Sequence, residues 1–139
     1  MFELTLSLMA NASQMAYVEE AHGTLAMLEN YNEVFRYLTG SMQSVTLFNE
    51  LEILAKYITV QKMRYGDRFN VSFVNQDQNK GIFISHLTII DVFDSVLHAA
   101  LERYEGTFNI FMDLEAEADN SVKITLETEE SRESFIIAL

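Results

Sequence analysis

The groups this chain offers for chemistry are imidazoles, carboxylates and guanidiniums, because it contains no cysteine. Disulfides and thiolate metal sites are therefore excluded. Three histidines occur, His22, His86 and His98. They are scattered and lack a matching carboxylate pattern, so they do not read as a metal site. His22 stands beside Gly23, where a helix should break, the usual setting of a solvated loop histidine. His86 belongs to the first turn of a later helix and His98 to that helix's less apolar side, both as ordinary surface or partly buried residues. Arg64-Tyr65-Gly66-Asp67-Arg68 places two guanidiniums around a turn, where Arg64 and Arg68 are available for acidic partners. Near the C-terminus, Glu129, Glu130 and Glu133 crowd carboxylates into a stretch that repels anions.

These residues are carried by a chain of 139 residues, about half of them apolar, with ten Phe and six Tyr. That is one domain or two small subdomains with a sizeable core. Lys and Arg number 9 against 21 Asp and Glu, a formal net charge of −12. The acidic balance speaks against nucleic acid and anionic membrane surfaces as partners, and first of all indicates solubility. No apolar run approaches the roughly 20 residues of a membrane span. Glu3 and the lack of a basic flank argue against a signal peptide.

Apolar spacing predicts a helix over 4–19, with Leu4, Leu8, Met15 and the small Ala12 and Ala16 on one stripe. A break near 21–23 leads to a second helix over 24–39. There Leu28, Tyr31, Phe35 and Leu38 form a seam of coiled-coil type, and Gly40 ends it. Thr46 is the expected N-cap of a third helix over 47–65, with Leu47, Leu51, Leu54 and Ile58 on one face. Glu50 and Glu52 suit its first turns, Lys62 and Arg64 its last. Residues 68–74 alternate as a half-buried strand, 75–80 form a polar loop, and 82–84 a short strand. Ser85 is the expected cap of a fourth helix, with Ile90, Phe93, Leu97, Ala100, Leu101 and Tyr104 as its apolar face, ending at Gly106. Strands over 107–114 and 121–127, joined near 118–120, and a last strand over 134–139 complete an α+β order with helices on one face of a mixed sheet.

The segment from Arg36 to Phe69 carries a resemblance. Arg36-Tyr37 followed by VTLFNELEILAKYITVQKMRYGDRF resembles the core of bacterial sensor histidine kinases of the LytS/YesM type. There an arginine-tyrosine helix end precedes a segment like VTLEEELEHLRNYLEIQKLRFGDRF. The resemblance covers roughly residues 3–128. It implies a helical hairpin that pairs across a dimer into a four-helix bundle, followed by a reduced ATPase-like sandwich of the GHKL class. The implied domains are 1–43 for dimerisation and phosphotransfer and 44–139 for the partial ATPase-like part. Dimerisation would run through residues 4–39.

The family's chemical positions are largely rewritten. Its acceptor histidine, in a motif like PHFLYNTLNSI, falls near Phe2 or Glu3, neither of which forms a phosphoramidate as an imidazole does. Its nucleotide helix, like IPKLTLQPLVENAIVHGL, aligns without a gap to ISHLTIIDVFDSVLHAAL over 84–101. Asp94 then stands at a family Glu and Ser95 at the magnesium-ligating Asn. A serine replaces that amide poorly. Ala99-Ala100 replace His-Gly. VKITLE over 122–127 matches the strand before the adenine loop, but the residues after it carry no glycine, and none occurs after Gly106. Without glycine the backbone does not readily approach a phosphate.

The resemblance thus implies a cytoplasmic piece of a two-component sensor histidine kinase-like protein, degenerate in catalysis and acting as a dimeric scaffold. A membrane anchor would lie outside this chain. A response regulator or a true kinase would be its partner, and ATP and magnesium would not be needed. One alternative is a working kinase in which Asp94 and Ser95 hold the metal and His22 is the acceptor. Another is a small-ligand module with a pocket between the fourth helix and the sheet, lined by Phe93, Leu97, Ile110 and Met112.

Overall fold

The computed structural model describes residues 2–19, 21–75, 81–116 and 121–137. In order these are α1 (Phe2–Val18), α2 (His22–Thr39), β1 (Ser44–Thr46), α3 (Leu47–Tyr65), a short 3-10 turn (Gly66–Arg68), β2 (Phe69–Asn75), β3 (Phe83–Ser85), α4 (Thr88–Arg103), β4 (Phe108–Ala116), β5 (Val122–Glu127) and β6 (Arg132–Ile137). The result is a mixed α+β chain. Most of the expected polar loop after β2, and the turn expected near 118–120, lie outside the described residues. No helix among the described residues is long and apolar enough to cross a membrane.

Four strands form a sheet in the order β2-β4-β5-β6. β2 and β4 are parallel, while β4-β5 and β5-β6 are antiparallel. A parallel pair needs a crossover, and β3 with α4 supplies it. Alternation decides which face is covered. Phe108, Ile110, Met112 and Leu114 of β4 are buried with Val122, Ile124 and Leu126 of β5, whereas Asn109, Phe111 and Glu127 are exposed. The buried face meets Ile89, Ile90, Phe93, Val96, Leu97 and Ala100 of α4, and the same core extends through α3 to Val34 and Tyr37 of α2.

Several boundaries and faces differ from expectation. A second, two-stranded sheet pairs β1 with β3, Val45 opposite Ile84. β3 is the short strand expected at 82–84, shifted by one residue, whereas its partner β1 was not expected. Ser85 does not cap α4. It ends β3, and its carbonyl accepts from the Thr88 hydroxyl at 2.7 Å. The residue before the helix is Leu87, in the left-handed region at φ 71°, with no capping side chain of its own. His86 accordingly precedes the helix. α4 stops at Arg103, before Gly106, and α2 begins at His22, taking Gly23 into its first turn. On α2 the buried residues are Val34 and Tyr37, which face α3, while Tyr31 of the expected seam is exposed. On α1, Leu8 and Met15 of the expected stripe are 59% and 62% exposed. Thr46 caps α3 as expected, accepting from the Asn49 amide at 3.1 Å.

Gly66 ends α3 at φ 63°, ψ −139°, and its amide donates to the Lys62 carbonyl. A Cβ there meets nothing within 4 Å, so only backbone strain opposes a side chain. That conformation is reserved for glycine. Gly66→Ala is therefore expected to lower stability by about 1–3 kcal/mol, read from the urea midpoint at unchanged m-value. An effect within error would mean that the turn relaxes freely.

Candidate functional site

Polar side chains from other elements meet α4 at its two ends and midway along it. At its N-terminus stands Glu50, which is 0% exposed although it belongs to α3. Its carboxylate accepts from the Leu87 amide at 2.7 Å, the Ile89 amide, and the Ile90 amide at 3.4 Å. It also accepts from the Tyr37 hydroxyl at 2.6 Å. A helix begins with amides that have no partner within the helix and with the positive end of its dipole. A carboxylate from another helix satisfies both. Leu87 in the left-handed region aims its own amide at the same group, against a cost of about 1–2 kcal/mol for a non-glycine residue.

The C-terminus of α4 has the opposite partner. The guanidinium of Arg68 donates to the Leu101 carbonyl at 3.3 Å and to the Tyr104 carbonyl. Arg68 is thus engaged within the fold, contrary to the expectation that it waits for an acidic partner. Arg64 stays exposed, its guanidinium 5.2 Å from the Tyr65 ring. Glu50 and Arg68 were both missed as a pair. The signal for Glu50 was its spacing, three residues after Leu47 and four before Leu54, on the apolar face.

Asp94 lies midway along α4. Its Oδ1 accepts from the Tyr57 hydroxyl, which in turn accepts from Gln61 Nε2 at 2.7 Å. His98, one turn on, places Nε2 3.2 Å from the same oxygen. These groups border a cavity of about 380 Å³ between α2, α3 and α4. Ser95 is exposed and takes no part in it. His22 is exposed at the start of α2. His86 donates from Nε2 to the Tyr37 carbonyl at 2.7 Å and sets its ring edge to the Tyr37 ring at 4.6 Å.

Between the end of α4 and the β5–β6 turn lies a cavity of about 110 Å³, bordered by Ala99, Arg103 and Thr128. The turn is closed tightly. The Thr128 amide donates to the Ser131 carbonyl, and their hydroxyls meet, both at 2.8 Å. Tyr104 accepts from the Glu130 amide at 2.9 Å. Glu129 is held by the amide and side chain of Asn109 at 2.8 and 2.9 Å. Burial raises the Glu129 pKa, but its own backbone amide and the two Asn109 donors outweigh that and lower it.

The residues here do not fit magnesium-ATP. Asp94 borders the cavity between α2, α3 and α4, whereas Ser95 is an exposed serine outside it. The 110 Å³ space is well below the roughly 300–1,000 Å³ of small-molecule sites. Among the described residues no cluster of three or more His, Asp or Glu is placed to hold a metal. The expected pocket between α4 and the sheet is absent at the residues named for it: Phe93, Leu97, Ile110 and Met112 are each 0% exposed and fill the core.

Residues 5–69 match the family model described as Histidine kinase. The match covers slightly under half of the chain, from α1 to the first residue of β2, and includes Tyr37, Glu50, Tyr57 and Arg68. Asp94, Ser95 and the β5–β6 turn lie outside it. A comparison with curated proteins returns no match. Among solved structures the chain is similar to the histidine kinase domain of the blue-light activated histidine kinase of Erythrobacter litoralis EL346, at 10% identity and a TM-score of 0.47, over 87% of this chain and 69% of that one.

Two outcomes follow from these phenol–carboxylate contacts. Glu50→Ala leaves four donors around Glu50 without their acceptor, and is expected to cost about 3–5 kcal/mol. Hydrogen exchange should show the amides of Ile89 and Ile90 losing protection first. Burial, then hydrogen bonding to Glu50 and its charge, push the Tyr37 phenol far above its usual range. Burial and the bond to Asp94 do the same to Tyr57, opposed in part by Gln61. In the unfolded chain tyrosine ionises near pH 10. The unfolded state therefore loses its phenolic protons first, and stability is full below about pH 10 and falls as pH rises above it. Urea titrations from neutral to alkaline pH should show that fall, reduced in Tyr37→Phe and Tyr57→Phe.

Proposed function

We propose that this chain is the dimeric signalling module of a two-component sensor histidine kinase-like protein, catalytically degenerate and acting as a scaffold. The observation that carries the reading is the family match over residues 5–69. Residues 1–43 serve as the dimerising hairpin and 44–139 as an ATPase-like sandwich of the GHKL class. The module works in the cytoplasm, alone or as the inner part of an anchored sensor. Its partner is a response regulator or an active kinase.

The dimer draws support from α1. Leu8, Met15, Tyr17 and Val18 are 59 to 74% exposed, a cost in water that a second copy would remove. The loss of catalysis draws support from three features. No histidine stands at the start of α1, Ser95 is an exposed serine at the family's amide position, and the turn after β5 is closed by Thr128 and Ser131. The extra carboxylates beside that turn repel a triphosphate.

Titration calorimetry with magnesium-ATP, run beside sedimentation, tests both halves. The expected result is a dimer mass with no binding tighter than about millimolar. Leu8→Asp with Met15→Asp should give a monomer that keeps the fold of the sandwich. Micromolar binding would restore the working-kinase reading, with Asp94 and Ser95 as the metal contacts. A monomer mass for the unaltered chain would end the scaffold reading.

A further inference from the structure

We propose that the cavity between α2, α3 and α4 binds a small amphipathic cation, an amine carried on an aromatic body. At about 380 Å³ it falls within the size range of small-molecule sites, roughly 300–1,000 Å³. Its chemistry is divided. The α2 wall is apolar, formed by Tyr31, Phe35 and Leu38, with the rings of Tyr31 and Phe35 stacked at 6.2 Å. The opposite side is polar, formed by Tyr57, Asp94 and His98. Apolar walls with a few convergent polar groups are the ordinary make-up of a ligand site.

Three observations select a cation. The one carboxylate on the polar side, Asp94, takes both of its contacts, from Tyr57 and His98, on Oδ1. A carboxylate has about four acceptor positions, so it retains capacity for a charged donor. The Tyr57 hydroxyl already donates to Asp94 and accepts from Gln61, so it offers an incoming anion no proton. Arg64, the fixed positive charge of the lining, is exposed and lies beside the Tyr65 ring. Aromatic faces on the α2 wall favour a cation further, and the net charge of −12 favours its approach.

A second space lies beside the cavity. Tyr31, Val60 and Arg64 border both, and the second, more apolar and of about 320 Å³, is lined by Met9, Met27 and Met63. An amine on Asp94 with its ring against Tyr31 and Phe35 would touch α4 and α2 at once. Such a ligand would brace α2 against α4, and so the first helices against the sheet. This inference does not depend on the role proposed above.

Phenethylamine is a suitable probe, with 3-phenylpropionate and 2-phenylethanol as anionic and neutral controls of similar size. With the full chain, phenethylamine should raise the melting temperature and shift the amide resonances of residues 31–38, 57–61 and 94–98, with a Kd of about millimolar. Asp94→Asn keeps an acceptor for Tyr57 while removing the charge, and should weaken binding about tenfold or more. Leu38→Trp, which fills the space, should abolish binding in a protein that still melts cooperatively. Equal binding of all three probes would reduce the cavity to an apolar gap and overturn the proposal. So would preference for 3-phenylpropionate, binding unchanged in Asp94→Asn, or no saturable shift at concentrations on the order of tens of millimolar.

Discussion

The fold depends on how α4 is held at its two ends. Its first amides point at a buried carboxylate, Glu50, and its last carbonyls at a guanidinium, Arg68. Each charge has the sign that the helix dipole favours. Both come from α3 and the turn that follows it, Glu50 near the start and Arg68 just past the end. α3 and α4 must therefore run in the same direction, in register over the roughly 24 Å that a helix of this length spans. A buried carboxylate is costly unless its donors surround it. With three amides and a phenol converging on it, Glu50 meets that condition only in this arrangement. A shift of α4 by one turn would strand it.

The same carboxylate reaches back into the first helices. Tyr37, near the end of α2, donates its hydroxyl to Glu50, and His86, from the turn before α4, donates to the Tyr37 carbonyl. Three segments distant in sequence thus meet at one point of the core. A second tyrosine repeats the device further along α3, where Tyr57 donates to Asp94 of α4. Any tilt of α2 relative to α4 must disturb the first contact. It would also change the cavity that lies beside the second. The mechanical link between the helices of the N-terminal half and the sheet runs through these two phenol–carboxylate pairs.

The far side of α4 faces the β5–β6 turn. The β5–β6 connection is a short turn fastened by Thr128, Ser131 and the Tyr104 hydroxyl, and Glu129 is held by Asn109. The two faces of α4 therefore differ in kind. One borders a space with unspent polar capacity, and the other is occupied by the protein's own hydroxyls.

Sequence alone determined the element types and the sheet-facing residues. Alternation in FNIFMDL and VKITLE, and helical spacing in Leu47, Leu54, Ile58, Phe93 and Leu97, are local consequences of burying one face. Thr46 as a cap and Gly66 as a turn were legible for the same reason, since each acts within a few residues. The ends of α4 were not. Its caps sit 33 or more residues away in sequence, so Ser85 looked like the cap while Glu50 was doing that work. The resemblance placed Asp94 and Ser95 together by alignment, but adjacent helical residues point in different directions. Only the packing of α2 and α3 decided that Asp94 would face Tyr57 and that Ser95 would face water. Local pattern tells which side chains are buried. Which partner a buried charge meets depends on contacts between distant segments, and those exist only once the chain has closed on itself.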